Sequence, residues 1–202
     1  NPAYAGDKIF VSSGTDSLFS VNRNTGARIW ARQLPSSGGN PAVVPYKGKL
    51  YINYNQKTAP YTGGILCVDA GSGATVWQFS RPSSFPYTME MCPAFAENDV
   101  VYASELGHAR VYAFNAATGD TVWTKTITDI VSTSQNEGPI VYNGRVYFKT
   151  SGAVMKCLNG ATGNTIWSRV LNAGSVINPD FGAVVRAADG SFLYASETGM
   201  RQ

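Results

Sequence analysis

Residues 20–30 read SVNRNTGARIW, and the phrase returns three times. It recurs as CVDAGSGATVW at 67–77, AFNAATGDTVW at 113–123 and CLNGATGNTIW at 157–167. Each copy sets a glycine four residues before a tryptophan: Gly26 and Trp30, Gly73 and Trp77, Gly119 and Trp123, Gly163 and Trp167. Successive tryptophans lie 47, 46 and 44 residues apart. A steady period of this length marks a repeat architecture. Gly199, in LYASETGMRQ, is read as the fifth glycine of the series, with no tryptophan after it.

A second motif stands upstream of each copy: YAGDKIFVSS, PYKGKLYINY, AENDVVYASE, VYNGRVYFKT and, more weakly, DFGAVVRAAD. Each joins a turn to a short alternating run of β-branched and aromatic residues, the sign of a strand. A shorter strand is expected after the proline of NPAY, NPAVV, CPAFA, GPIVY and NPDF. The turns Ala5-Gly6-Asp7, Lys47-Gly48, Asn98-Asp99 and Asn143-Gly144 suit tight hairpins, which need positive φ at central positions. A third strand carries Leu18, Leu66, Val111 and Met155, and the fourth carries the tryptophan. The unit is therefore an antiparallel meander of four strands.

One such meander buries one face poorly and must pack on its neighbours. Radial stacking of four-stranded sheets gives a β-propeller, which leaves only short edges. The expected fold is all-β, with four complete blades and a truncated fifth in a single domain over 1–202. Unit boundaries fall at about 1–36, 37–90, 91–134, 135–174 and 175–202. The recurring tryptophan is expected to bridge two blades. Three arrangements suit this count: part of a larger propeller, a small propeller of about five blades, or an open arc completed by another chain. An isolated arc is disfavoured because bare edges invite aggregation.

Composition agrees. Charged residues are only 14%, while 21 glycines serve the turns and 11 Tyr, 9 Phe and 4 Trp supply the core. The net charge of +3 is spread out, with no basic stripe for nucleic acid. No stretch is apolar enough to span a bilayer. Cys67 and Cys157 occupy the same place in two repeats and read as small buried hydrophobes. Cys92 is left open as a disulfide partner.

The pattern N-x-x-T-G-x-x-x-W, with Asp69 for the first Asn in the second copy, resembles the tryptophan-docking motif of the quinoprotein (PQQ-dependent) alcohol dehydrogenase-like propellers. That repeat also occurs in an outer-membrane assembly lipoprotein. The resemblance covers essentially the whole chain and implies a secreted or periplasmic home. For a quinone enzyme it implies adjacent disulfide-linked cysteines, a tryptophan stacking floor, an aspartate base and Glu/Asn ligands to calcium. No two cysteines are adjacent here, and all four tryptophans sit in docking positions. No catalytic residue, cofactor or metal ligand is therefore expected within these residues. Function lives in sites grafted on a fold, so the motif itself speaks for packing.

Binding is sought in the loops. Residues 55–64 and 79–92 lengthen two connections, and 126–138 forms a third crossing. Arg81 is a plausible polar anchor, Phe85 an apolar contact, and Tyr61 and Tyr87 platforms for a sugar or a proline-rich peptide. Glu105 and His108 share a loop, as a solvated pair or as members of a site. Gln135 and Asn136 precede a first strand and point to a channel lining. The leading expectation is a non-catalytic propeller that binds or scaffolds protein, by partner or self-association. The alternatives are a carbohydrate-binding module and a fragment of a PQQ-dependent dehydrogenase.

Overall fold

The computed structural model describes residues 2–13, 16–35, 41–56, 62–82, 95–105, 110–127, 139–149, 154–170, 185–186, 192–196 and 199–201. The first sheet is β1 (Ala3–Ala5), β2 (Lys8–Ser12), β3 (Ser17–Asn22) and β4 (Arg28–Gln33). The second is β5 (Val43–Tyr46), β6 (Lys49–Gln56), β7 (Thr62–Asp69) and β8 (Thr75–Pro82). The third is β9 (Phe95–Glu97), β10 (Val100–Glu105), β11 (Arg110–Asn115) and β12 (Thr121–Thr126). The fourth is β13 (Ile140–Tyr142), β14 (Arg145–Lys149), β15 (Val154–Asn159) and β16 (Thr165–Val170). A three-stranded sheet follows, β17 (Val185–Arg186), β18 (Phe192–Ser196) and β19 (Gly199–Arg201). Every pairing is antiparallel and every sheet runs in chain order, as meanders require. Among the described residues no helix is long and apolar enough to cross a membrane.

The repeated phrase owes its residues to one turn. In each copy the Asx side chain caps the loop: Asn22 Oδ1 accepts the N–H groups of Asn24 and Thr25, and Asn115 and Asn159 do the same. Asp69 serves equally, because the role needs only an acceptor oxygen. The next polar residue (Thr25, Ser72, Thr118 or Thr162) accepts from the N–H two positions on. The glycine then adopts φ of +71° to +79°, where a side chain is strained. The first-to-second hairpins Lys47-Gly48, Asn98-Asp99 and Asn143-Gly144 have positive φ at both positions, as the type I′ turn demands.

The four blade-like sheets pack face to face. First strands lie side by side, β1 with β5, β5 with β9 and β9 with β13. The core is three layers, each between two sheets. Phe10, Leu18 and Leu34 meet Leu50, Ile52, Leu66 and Val68. Tyr51, Ile65, Cys67 and Trp77 meet Val101, Ala103, Tyr112 and Phe114. Tyr102, Val111, Ala113 and Ile127 meet Val146, Phe148 and Leu158.

The tryptophan locks each layer. Its indole lies on the docking glycine of the following sheet, not on the glycine of its own phrase. A Cβ on Gly73 would stand 2.9 Å from Trp30, on Gly119 2.6 Å from Trp77, and on Gly163 2.8 Å from Trp123. The indole N–H groups donate to Ala70 O at 3.2 Å, Ala116 O at 3.0 Å and Gly160 O at 2.7 Å. Tyr51 and Tyr102 hydroxyls donate to the same Ala116 and Gly160 carbonyls. Between this tyrosine and the tryptophan, in cross-strand register, sits a small residue. Cys67 pairs with Tyr51 and Trp77, and Cys157 with Tyr147 and Trp167. Both thiols are free and buried, as the small-hydrophobe reading expects. Cys92 lies outside the described residues.

The second-to-third hairpin of the second sheet is lengthened as expected, with Asn55 paired to Gly63 and Gln56 to Thr62. The absence of a side chain permits this, since a Cβ on Gly64 would fall 1.9 Å from Phe79 O. Two expectations need correction. Residues 79–82, expected in a crossing, belong to β8. Gly199 does not occupy a docking turn. It opens β19 directly opposite Ser196, while the docking glycines precede their strands. The Tyr-Ala-Ser-Glu of residues 194–197 repeats residues 102–105, which lie in a second strand.

Candidate functional site

A meander places its connections at two ends. First-to-second and third-to-fourth turns share one pole, where the docking glycines sit. Second-to-third turns and sheet-to-sheet crossings share the other, the loop pole. Contacts at the docking pole hold sheets together: Lys47 Nζ pairs with Asp99 at 2.6 Å, and the Glu97 carboxylate accepts the N–H groups of Asn143 and Gly144. Arg32 donates to Gly73 O at 2.7 Å in the same way.

The loop pole is different. Four residues after Trp30 and after Trp123 the repeat places an inward residue that closes the core layer. Leu34 does this between the first two sheets and Ile127 between the third and fourth, only 3% and 4% exposed. Between the second and third sheets the corresponding residue is Arg81. Its Nη1 donates to Glu105 Oε2 at 2.7 Å and to the Tyr112 hydroxyl at 2.6 Å, and Tyr112 donates to the same Oε2 at 2.6 Å. The Glu105 side chain is 1% exposed and that of Arg81 26%. Burial raises the Tyr112 pKa, and the hydrogen bond to Glu105 adds to the rise, so its proton stays available to the carboxylate. Beneath the triad, Phe79 packs on Tyr112 and Phe114 at ring distances of 5.5 and 4.7 Å. Phe79 is thus partly buried against the core layer between the second and third sheets.

Three strands converge here: the end of β8, the end of β10 and the start of β11. Arg81 and Glu105 were both legible as candidates from the sequence, but not as each other's partner. Tyr112 was missed; in the β10–β11 register it pairs with Ala103, two residues before Glu105. Glu105 turns inward to Arg81 and Tyr112. Tyr61, Phe85, Tyr87, His108, Gln135 and Asn136 lie outside the described residues.

The set implied for a quinone and its calcium is not assembled among the described residues. Trp30, Trp77 and Trp123 cover docking turns, and Trp167 packs on Tyr147, so none of these indoles is free as a stacking floor. No three His, Cys, Asp or Glu side chains among the described residues gather to hold a metal ion.

Comparison with known proteins follows the fold. BamB from Moraxella catarrhalis superposes with a TM-score of 0.66 at 19% identity, over 98% of this chain and 61% of that one. A europium-containing methanol dehydrogenase gives 0.74 at 13% identity, over 97% and 51%. A computationally designed protein, Ika8, gives 0.68 at 12% identity, over 98% and 55%. Such likeness speaks for the fold alone, and the designed protein makes the point plainly. In sequence, tetrathionate hydrolase of Acidithiobacillus ferrooxidans is 25% identical over 158 residues, 72% of this chain and 31% of that protein. The chain thus spans about a third of this curated relative and half to three fifths of the solved structures just named. The family model described as outer membrane protein assembly factor BamB matches residues 61–201. That description agrees with a secreted or periplasmic location. On the docking repeat, the blade-like sheets and this match, the chain belongs to the PQQ-like β-propeller family that includes BamB.

Proposed function

We propose that this chain is a non-catalytic binding or scaffolding segment of a β-propeller. It works outside the cytoplasm and engages a protein partner at the loop pole between the second and third sheets. The four sheets and the three-stranded sheet are read as consecutive blades. One observation carries the reading: Arg81 replaces the aliphatic residue that the repeat uses at Leu34 and Ile127. A buried ion pair is often no more stabilising than apolar residues of similar volume. A repeat that already has the apolar solution gains little stability from abandoning it once. The substitution makes better sense as a grafted site. The family description, an assembly factor, supports a scaffolding role.

Photo-cross-linking in cells tests this. A benzophenone amino acid is placed at Thr62 or Arg110 on the loop pole, and at Asn24 or Ala117 on the docking pole. Discrete protein adducts from the loop-pole positions alone are expected. Equal adducts from both poles, or none from either, would reject the reading.

A second reading rests on the sequence likeness to an enzyme, tetrathionate hydrolase. There the chain is part of a larger catalytic protein whose reacting groups lie on other segments. Tetrathionate hydrolysis, or quinone-dependent alcohol oxidation, by the full-length protein would favour it.

A further inference from the structure

We infer that Arg81 is a receptor for a carboxylate on the protein partner, an Asp or Glu side chain gripped edge-on by Nε and Nη2. The inference rests on the partner-binding reading above and names the chemistry of the contact. A guanidinium carries five N–H donors in one rigid plane. Among the described residues Arg81 directs only Nη1 inward, to Glu105 and Tyr112. The edge formed by Nε and Nη2 makes no hydrogen bond there, and the side chain keeps 26% of its surface in solvent while its Glu105 anchor keeps 1%. Nη1 is held by a buried carboxylate and a buried hydroxyl, and the Nε–Nη2 edge is left without a partner among the described residues.

That arrangement suits two coplanar oxygens. Parallel N–H groups match a carboxylate bidentately. Because the plane is already held, binding costs less side-chain entropy than at a free surface arginine. Charge favours an anion: Arg81 and Arg110, which pairs with Glu105 across β10 and β11, bring two cations to this end of the sheets. In the β7–β8 pairing Gly63 stands opposite Arg81, so its cross-strand neighbour there sets no side chain against the guanidinium. At the other two described boundaries the same position holds Leu34 or Ile127, and these act as internal controls.

The test uses the chain with 15N-labelled arginine. The Arg81 Nε–Hε resonance, assigned by its loss in Arg81→Lys, is followed during titration with the acetylated, amidated peptide Ala-Glu-Ala. Its glutamine analogue and sodium tetrathionate are titrated in parallel. A saturable shift with the glutamate peptide, absent with glutamine, is expected. Arg81→Lys keeps the charge but loses the fork and should weaken binding about tenfold or more. Tyr112→Phe keeps the ring and loosens the anchor; a loss of a few fold is expected. If Arg81→Lys does not fold, the wild-type titration and Tyr112→Phe carry the test. Equal effects of the two peptides, equal affinity of a folded Arg81→Lys, or a shift with tetrathionate alone would overturn the inference. Loop-pole cross-links that persist in Arg81→Lys would do the same while leaving the partner-binding reading intact.

Discussion

Gly119→Ala and Gly26→Ala form a controlled pair that measures the docking interaction. Both glycines follow the same capped turn, with φ of +79° and +71°. Alanine in this region costs roughly 1–3 kcal/mol at either position, from the backbone alone. The two differ in what lies above them. A Cβ on Gly119 would stand 2.6 Å from Trp77 Cδ2 and 2.7 Å from Cε3, while one on Gly26 meets nothing within 4 Å among the described residues. Trp77 cannot retreat easily, because its N–H is bonded to Ala116 O at 3.0 Å and its ring packs on Tyr51 and Phe114. Overpacking of this kind costs about 1–3 kcal/mol. The backbone contribution cancels in the comparison, so Gly119→Ala should be less stable than Gly26→Ala by about that amount. For a chain of this size one kcal/mol moves the melting temperature by roughly 2–4 °C. Thermal and urea unfolding, followed by tryptophan fluorescence and far-ultraviolet circular dichroism, report it. Equal losses in the two variants would show that the glycine serves the turn only and that the indole contact is incidental.

Two further outcomes are expected. Arg81→Leu restores the aliphatic residue of the other boundaries but takes the Arg81 ion pair from the buried Glu105, at a cost of about 3–5 kcal/mol in urea unfolding. The double variant Arg81→Leu/Glu105→Leu should recover that loss or exceed wild type by about 1–4 kcal/mol, and a double variant as weak as the single one would contradict the grafted-site argument. The Cys67 thiol, pushed up to about 12 mainly by burial, should resist Ellman's reagent at pH 8 in the native protein and react once urea exposes it. Its proton is held more tightly folded than unfolded. The associated stability is therefore present below pH 9 and lost as pH rises toward 12, a loss that Cys67→Ala should reduce in alkaline unfolding.

Much of this molecule was legible in the sequence because its determinants are local. The Asn-x-x-Thr-Gly phrase closes its own turn through bonds spanning two to five residues, and Asp69 and Ser72 keep the same donors and acceptors. Alternation and Asn-Gly type turns set the four-stranded meander, and a period near 46 residues set the repeat. Tertiary structure decided everything that passes between sheets. Which glycine each tryptophan covers depends on how two sheets stack, and the partner proved to be about 40 residues downstream instead of four upstream. Arg81, Glu105 and Tyr112 stood 24 and 31 residues apart with nothing in the spacing to join them. They meet because lengthened strands in the second sheet carry Arg81 to the loop pole, and because the repeat aims the fourth residue after Trp30, Trp77 and Trp123 into the layer between sheets. Local chemistry writes the turns and strands; the burial of a shared face chooses their partners.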